Sequence, residues 1–266
     1  QVFDGFLVVS RSGRATNLQY QPAVGGAVPS TSSSLAQRRL AGGGTPVINL
    51  QSESDPLGTP ASGDETTWVD AVWRPDADAA GDRFRLWEVP GSSHNDEWGS
   101  RQALGVLGRD YGLAFTPTCS WTPPGGINRF PFRYAWDSAL ASLARWAEGS
   151  GTAPIVDRIA RTGLTVSRDA AGNALGGLRL PPMDVPVARY GPVSSGGLFC
   201  PLTGDQMPFD STTLTALYPT THEYVVDIRR SARKDVRSGV LLAEDAAALV
   251  DKARLGPAAN AATVTK

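Results

Sequence analysis

The sequence predicts an α/β fold, a mostly parallel sheet with flanking helices, on two observations. Three short apolar segments, Phe3 to Val9, Thr45 to Gln51 and Phe84 to Val89, have the length and composition of strands buried on both faces. Two of them run directly into segments bearing reactive side chains. Ser52-Glu53-Ser54-Asp55-Pro56 follows the second strand, and Pro90-Gly91-Ser92-Ser93-His94 follows the third. Side-chain chemistry gathered just past strand ends is typical of open parallel sheets, whose sites lie at the carboxyl edge.

Each element follows from local pattern. The first strand opens the sequence almost at once, after Gln1 and with no initiator methionine, so a natural start further upstream is expected. A glycine- and serine-rich loop covers about 22–34, and Gly42-Gly43-Gly44 leads into the second strand. Tyr134 to Glu148 reads as an amphipathic helix, with Trp136, Ala139, Leu140, Leu143 and Ala147 at helical spacing and Gly149-Ser150-Gly151 to end it. From 151 to 235 the pattern is irregular, with short strands expected at Leu164–Val166, Gly177–Leu180, Val185–Ala188 and Tyr224–Ile228. Asp169 to Asn173 is a turn signal. A last helix is expected over about Glu244 to Leu255, with a fraying tail from Ala258 to Lys266. The chain thus divides into a sheet-bearing part, 1–150, and an extension, 151–266, expected to pack on it.

Composition narrows the function. A chain of 266 residues, 41% of them hydrophobic, can bury a real core. Its 25 basic and 26 acidic residues include no long basic run, which argues against nucleic acid or an anionic membrane as the main partner. No apolar run reaches the roughly 18 residues of a membrane-spanning helix. Glycine (29) and proline (20) are frequent, as suits a secreted enzyme rich in ordered loops. The two cysteines, Cys119 and Cys200, leave two readings open: buried thiols, or a disulfide that requires an oxidising compartment.

There are two histidines. His94 follows a strand in a small-residue loop that lets an imidazole project over the sheet edge, whereas His222 precedes an expected late strand with no comparable setting. A histidine base needs a carboxylate to fix its tautomer, and Glu53 and Asp55 both stand at the preceding strand end. Residue spacing does not choose between them, since either could cap the following turn. The order acid then histidine, each after a strand, is that of the second and third members of an α/β-hydrolase triad. The first member is missing: no Gly-x-Ser-x-Gly elbow occurs, Ser194-Ser195 lacks the flanking strand and helix, and neither cysteine is at a strand-to-helix turn. No metal-ligand spacing exists, Gly42-Gly43-Gly44 is not a phosphate loop, and Asp76-Ala77-Asp78 is out of register for a calcium loop. No metal and no cofactor are therefore expected.

Several segments taken in order resemble the alpha/beta hydrolase domain family of bacterial esterase-like proteins. They are Val2-Phe3-Asp4-Gly5-Phe6-Leu7, Pro46-Val47-Ile48 through Ser52-Glu53-Ser54-Asp55, Leu86 through His94, and Asn128-Arg129-Phe130-Pro131. Asp169 through Pro181, Phe199-Cys200 and Pro208-Phe209 continue the pattern. The resemblance implies the C-terminal part of an α/β-hydrolase fold. His94 would be the base and Glu53, or failing it Asp55, the acid, because family members carry this Ser-Glu-x-Asp pattern. It further implies a nucleophilic serine upstream, on the N-terminal half of the same protein as a second chain or segment, and a small-molecule ester as substrate. The sequence is also similar to methyl-ester hydrolases of actinomycete antibiotic pathways. Trp87, Trp98, Trp121 and Phe130 would line a pocket for a flat or apolar acyl group. Cys119 and Cys200, both in family-like segments, are expected to pair.

Overall fold

The computed structural model describes residues 3–10, 40, 43–56, 74–112, 119–120, 124–163, 165–196 and 200–262. Its central sheet is built from β1 (Phe6–Val9), β2 (Val47–Ser52), β3 (Ala77–Ala79) and β4 (Asp82–Val89) in the order β1-β2-β4-β3. The three expected strands are parallel, with Phe6 opposite Val47, Val47 opposite Phe84, and Ser52 opposite Val89. β3 adds an antiparallel edge through a short turn at Ala80-Gly81. β2 and β4 are buried almost throughout, which is why they read as continuous apolar runs. The buried Arg85 is compensated: its Nε donates to Ala153 O at 2.8 Å, and Nη2 pairs with Asp78 at 2.6 Å.

Past the sheet the chain forms α1 (Glu97–Tyr111), β5 (Gly126–Ile127) and α2 (Phe132–Ala147). The expected helix is thus present, but its buried face differs. Ala135, Ser138, Ala139, Ser142, Leu143 and Trp146 face inward, whereas Trp136 and Leu140 are exposed. Small residues at i, i+3 and i+4 let α2 lie close over β1 and β2, and that close contact outweighs burial of the larger side chains. Next come β6 (Arg161–Thr162), β7 (Thr165–Val166), α3 (Pro181–Asp184), β8 (Ala188–Gly191), α4 (Cys200–Thr203) and β9 (Asp205–Pro208). β5, β9 and β8 make a second, antiparallel sheet, and β6 pairs with β7. The Asp169 turn forms as expected, closed by Gly172 N–H to Asp169 O and by Asp169 N–H to Asn173 O. Gly177–Leu180 is not a strand, and Val185–Ala188 contributes only Ala188 to one.

The C-terminal part is helical: α5 (Ser211–Leu217), α6 (Thr221–Ser238), α7 (Ala243–Ala253) and α8 (Pro257–Ala261). The strand expected at Tyr224–Ile228 is overturned, because those residues lie in α6. Thr220 and Glu223 form a capping box, and Tyr224, Val225, Ile228, Ala232 and Asp235 then follow a helical period on the buried face. The last expected helix is α7. Part of the tail expected to fray is the helix α8, and 263–266 lie outside the described residues, as does the 22–34 loop. A core cluster runs from Ile48 and Leu50 through Leu143 and Leu180 to Tyr224, Leu249 and Ala261, so side chains from both parts of the sequence pack together. Among the described residues, no helix is long and apolar enough to cross a membrane.

Candidate active site

β2 and β4 are neighbours in the sheet, so the segments leaving their carboxyl ends lie side by side. Beyond β2 the chain turns at once: Asp55 N–H donates to Ser52 O at 3.4 Å, and Asp55 Oδ2 accepts the Ser52 N–H at 2.7 Å. This local turn points the other carboxylate oxygen across the sheet edge. Asp55 Oδ1 lies 2.7 Å from His94 Nδ1, with the Asp55 side chain 3% exposed and the imidazole 35% exposed. A carboxylate so placed makes Nδ1 the protonated nitrogen and leaves the lone pair on Nε2. The hydrogen bond to Asp55 holds the His94 pKa above its ordinary value, against the downward pull of burial. Among the described residues, Nε2 takes no hydrogen bond.

The segment leaving β4 is braced at several points. Gly91 adopts φ +75°, and a Cβ there would meet the Met183 side chain at 2.0 Å and Tyr190 at 3.3 Å. The Gly91 N–H donates to Glu53 Oε2 at 2.6 Å, and its carbonyl accepts Asn128 Nδ2 at 2.8 Å. Ser92 Oγ donates to Val89 O and accepts the Glu53 N–H. Just after the histidine, Asn95 N–H donates to Leu202 O at 2.7 Å, and Asp96 caps α1 through the Gly99 N–H at 2.7 Å.

Glu53 therefore stands elsewhere than expected. It is fully buried, with Oε1 on Arg168 Nη2 at 2.6 Å and Oε2 on the Gly91 N–H, so its carboxylate is bonded to these groups and not to the imidazole. Burial pushes its carboxyl up, opposed by Arg168 and the Gly91 N–H. Two residues along a turning chain separate the two jobs: Asp55 faces the histidine and Glu53 holds the histidine's loop. Neither role was legible in the sequence: Arg168 carries no signal and Asn128 stands there only as part of a family-like segment, since each acts across a long separation in the chain.

Beside His94 lies a groove of about 640 Å³, walled by Trp98, Phe132, Trp136 and Arg133 and reaching Asp137 and Asp245. Among the described residues, Trp98 is the one predicted aromatic that lines it. Trp87 and Phe130 are fully buried in the core, Trp87 donating from Nε1 to Pro154 O and Phe130 packing edge-on against Tyr190, so neither faces the groove. Trp121 lies outside the described residues. The groove aromatics Phe132 and Trp136 come from the first turns of α2: Phe132 precedes the start expected at Tyr134, and Trp136 lies off the buried face on which the helical spacing put it. His222 is exposed in the first turn of α6, away from this constellation.

Nearby serine hydroxyls are committed elsewhere: Ser93 to Asn95 O, Ser54 to Ser52 Oγ, and Ser194 to Cys200 O. Cys119 and Cys200 form a disulfide, as expected, which removes both as nucleophiles. No group of three or more potential metal ligands occurs among the described residues. What remains among the described residues is a carboxylate–imidazole pair whose Nε2 takes no hydrogen bond, at the carboxyl edge of a parallel sheet and beside a groove. Such a pair takes a proton from a hydroxyl or a water and returns it to a leaving group. No curated protein and no solved structure matches the sequence. A family model described as an alpha/beta hydrolase domain matches residues 1–251, and the chain belongs to that family.

Proposed function

We propose that this chain supplies the acid and base of a serine hydrolase acting on carboxylic esters, a methyl ester among them, with His94 as base and Asp55 as acid. The observation that carries the reading is the 2.7 Å contact between Asp55 Oδ1 and His94 Nδ1 at the ends of adjacent parallel strands. In the first step His94 Nε2 takes the proton of a serine hydroxyl as that oxygen attacks the ester carbonyl, and then protonates the departing alcohol. In the second, Nε2 takes a proton from water, the water oxygen attacks the acyl-enzyme, and the serine recovers its proton from the imidazolium. The nucleophile is assigned to residues N-terminal to this sequence, as a segment or a second chain. Two features support that placement. The triad order puts the serine before the acid. Among the described residues, the outer edge of β1 is also unpaired and Phe6 on it is 44% exposed, a fit for one more parallel strand.

The protein carrying the upstream part is expected to hydrolyse methyl or aryl esters and to be labelled by a fluorophosphonate on one serine. His94→Ala should lower kcat/KM by about three orders of magnitude or more, and Asp55→Asn by a comparable factor, with the fold intact. Turnover retained in His94→Ala refutes the assignment. A second reading, a hydrolase-like scaffold without catalysis, is favoured by the absence of a serine at Nε2 among the described residues. It predicts no labelling and no turnover.

A further inference from the structure

α6 carries a buried carboxylic acid that the proposed hydrolysis does not use. Asp235 is 2% exposed, and its Oδ2 is shut off from solvent with no hydrogen-bond partner among the described residues. It belongs to the buried face of α6, on which the short helix α3 packs. Ser231, Lys234 and Asp235 are neighbours there at helical spacing, and the first two hold Asp184, the last residue of α3. Ser231 Oγ donates to Asp184 Oδ2 at 3.0 Å, and Lys234 Nζ lies 3.5 Å from the same oxygen. Asp235 thus stands beside a second carboxylate. Burial and the charge of Asp184 push its carboxyl up to about 7, with Lys234 opposing. The other helix packed on α6 is α7, whose buried residues Ala246, Leu249 and Ala253 carry no charge.

α3 links this pair of acids to the loop that carries His94. Arg179 clamps the helix, its Nε donating to Asp184 Oδ1 at 2.8 Å and its Nη2 to Met183 O at 2.6 Å. Met183 is fully buried and reaches Gly91, since a Cβ on Gly91 would collide with Met183 Cε. Gly91 is the residue whose N–H the Glu53 carboxylate accepts, three positions before His94. Asp184 and Met183 are adjacent in one turn of helix, so displacing the first moves the second. A carboxylate buried without a partner and beside another carboxylate is costly, whereas the protonated acid meets no repulsion from Asp184.

We propose that Asp184 and Asp235 form a proton-dependent latch: with Asp235 protonated, α3 stays seated on α6 and Met183 holds the His94 loop at Gly91, and loss of the proton loosens both. The folded carboxyl keeps its proton up to about 7 and the unfolded one only to 3.8, so between these values the folded state holds more protons. The stability contributed by Asp235 therefore falls as pH rises through that window and falls no further above it. The loop bearing the imidazole is held most firmly on the acid side of neutrality, whether or not a serine completes the triad.

The test compares the full chain with Asp235→Asn, which copies the shape of the protonated acid and cannot ionise, in thermal unfolding across the pH range. The two proteins should melt close together at the acid end. The variant should then pull ahead as pH rises, by about 5 °C or more near neutrality, and gain nothing further in more alkaline buffer. Taking the difference at each pH cancels every other titrating group, His94 and Asp245 among them. The link to the loop is read from the methyl signals of the two methionines, Met183 and Met207. The Met183 methyl should show a step near neutral pH that is missing in Asp235→Asn, with Met207 as the internal control. Lys234→Gln removes the exposed cation that opposes the shift, so the midpoint of that step should rise. A melting gap that does not vary with pH, or a midpoint unmoved by Lys234→Gln, places the proton on another group and overturns the latch. A Met183 signal with the same pH dependence in wild type and Asp235→Asn overturns the link to the His94 loop. None of these readouts uses ester turnover, so the latch and the hydrolase reading stand or fall separately.

Discussion

The imidazole of His94 is under two opposing influences, and their balance is measurable. The Asp55 hydrogen bond stabilises the imidazolium and burial disfavours it, with the first prevailing. The folded pKa is therefore above 6.5, and the stability it contributes is full below that value and lost as pH rises through the folded pKa. A base must be neutral, so kcat/KM should rise with pH along a limb centred above 6.5, and the NMR titration of the His94 ring should share that midpoint. Asp55→Asn removes the charge and leaves burial, so both midpoints should fall. An unmoved midpoint in that variant would mean that Asp55 does not act on the imidazole in solution. The sequence reached this pair only in part. His94 was legible from its strand-end loop, but Glu53 and Asp55 are two residues apart on the same turn. Which one faces the histidine depends on the hydrogen bond from Ser52 N–H to Asp55, a local closure with no residue-type signature.

At the scale of elements, legibility followed how strongly each segment's own pattern stated its environment. β2 and β4 are buried on both faces and read as strands without help. α1 went unread because Glu97, Arg101, Gln102, Gly105 and Arg109 present no continuous apolar stripe. Its signals are at its ends, the Asp96 cap and the left-handed Gly112. α6 was misread because a five-residue window at Tyr224–Ile228 looks like a strand, while the period declares itself only over Tyr224 to Asp235.

The same scale holds the role of Glu53, which ties the end of β2 to the loop after β4 and to the Asp169 turn region through Arg168. Glu53→Ala leaves the Gly91 N–H buried without its partner and Arg168 without its carboxylate, a loss of about 2 to 4 kcal/mol in unfolding free energy. Glu53→Gln should cost less, since the amide oxygen can still accept from Gly91. In both variants kcat should fall more than KM changes, because the histidine loop is displaced while the groove walls remain. Equal stability of wild type and Glu53→Ala in urea would show that the brace contributes nothing.

At the scale of the molecule, the disulfide joins stability to the site. It closes a loop with a sequence separation of 81, for which chain entropy alone gives about 4 to 5 kcal/mol. Its local position adds a second consequence. Cys200 opens α4, whose Leu202 carbonyl accepts the Asn95 N–H next to His94, and Thr203 O accepts the Asn128 N–H beside the same loop. Cutting the bridge frees one end of α4, and with it one of the supports of the base. Reduction should lower the melting temperature by about 10 °C, from the usual few degrees per kcal/mol for a chain of this size. The Cys119→Ala/Cys200→Ala double variant should melt where the reduced protein does. Before global unfolding, the reduced protein should also show a changed His94 ring signal, with the exposed His222 as a second, independent signal in the same spectrum. A reduced protein that melts within about 1 °C of the oxidised one would confine the bridge to a local role. Melting at a lower temperature with an unchanged His94 signal would separate the disulfide from the site, and the support of His94 would then rest on Glu53, Asn128 and Asp55 alone.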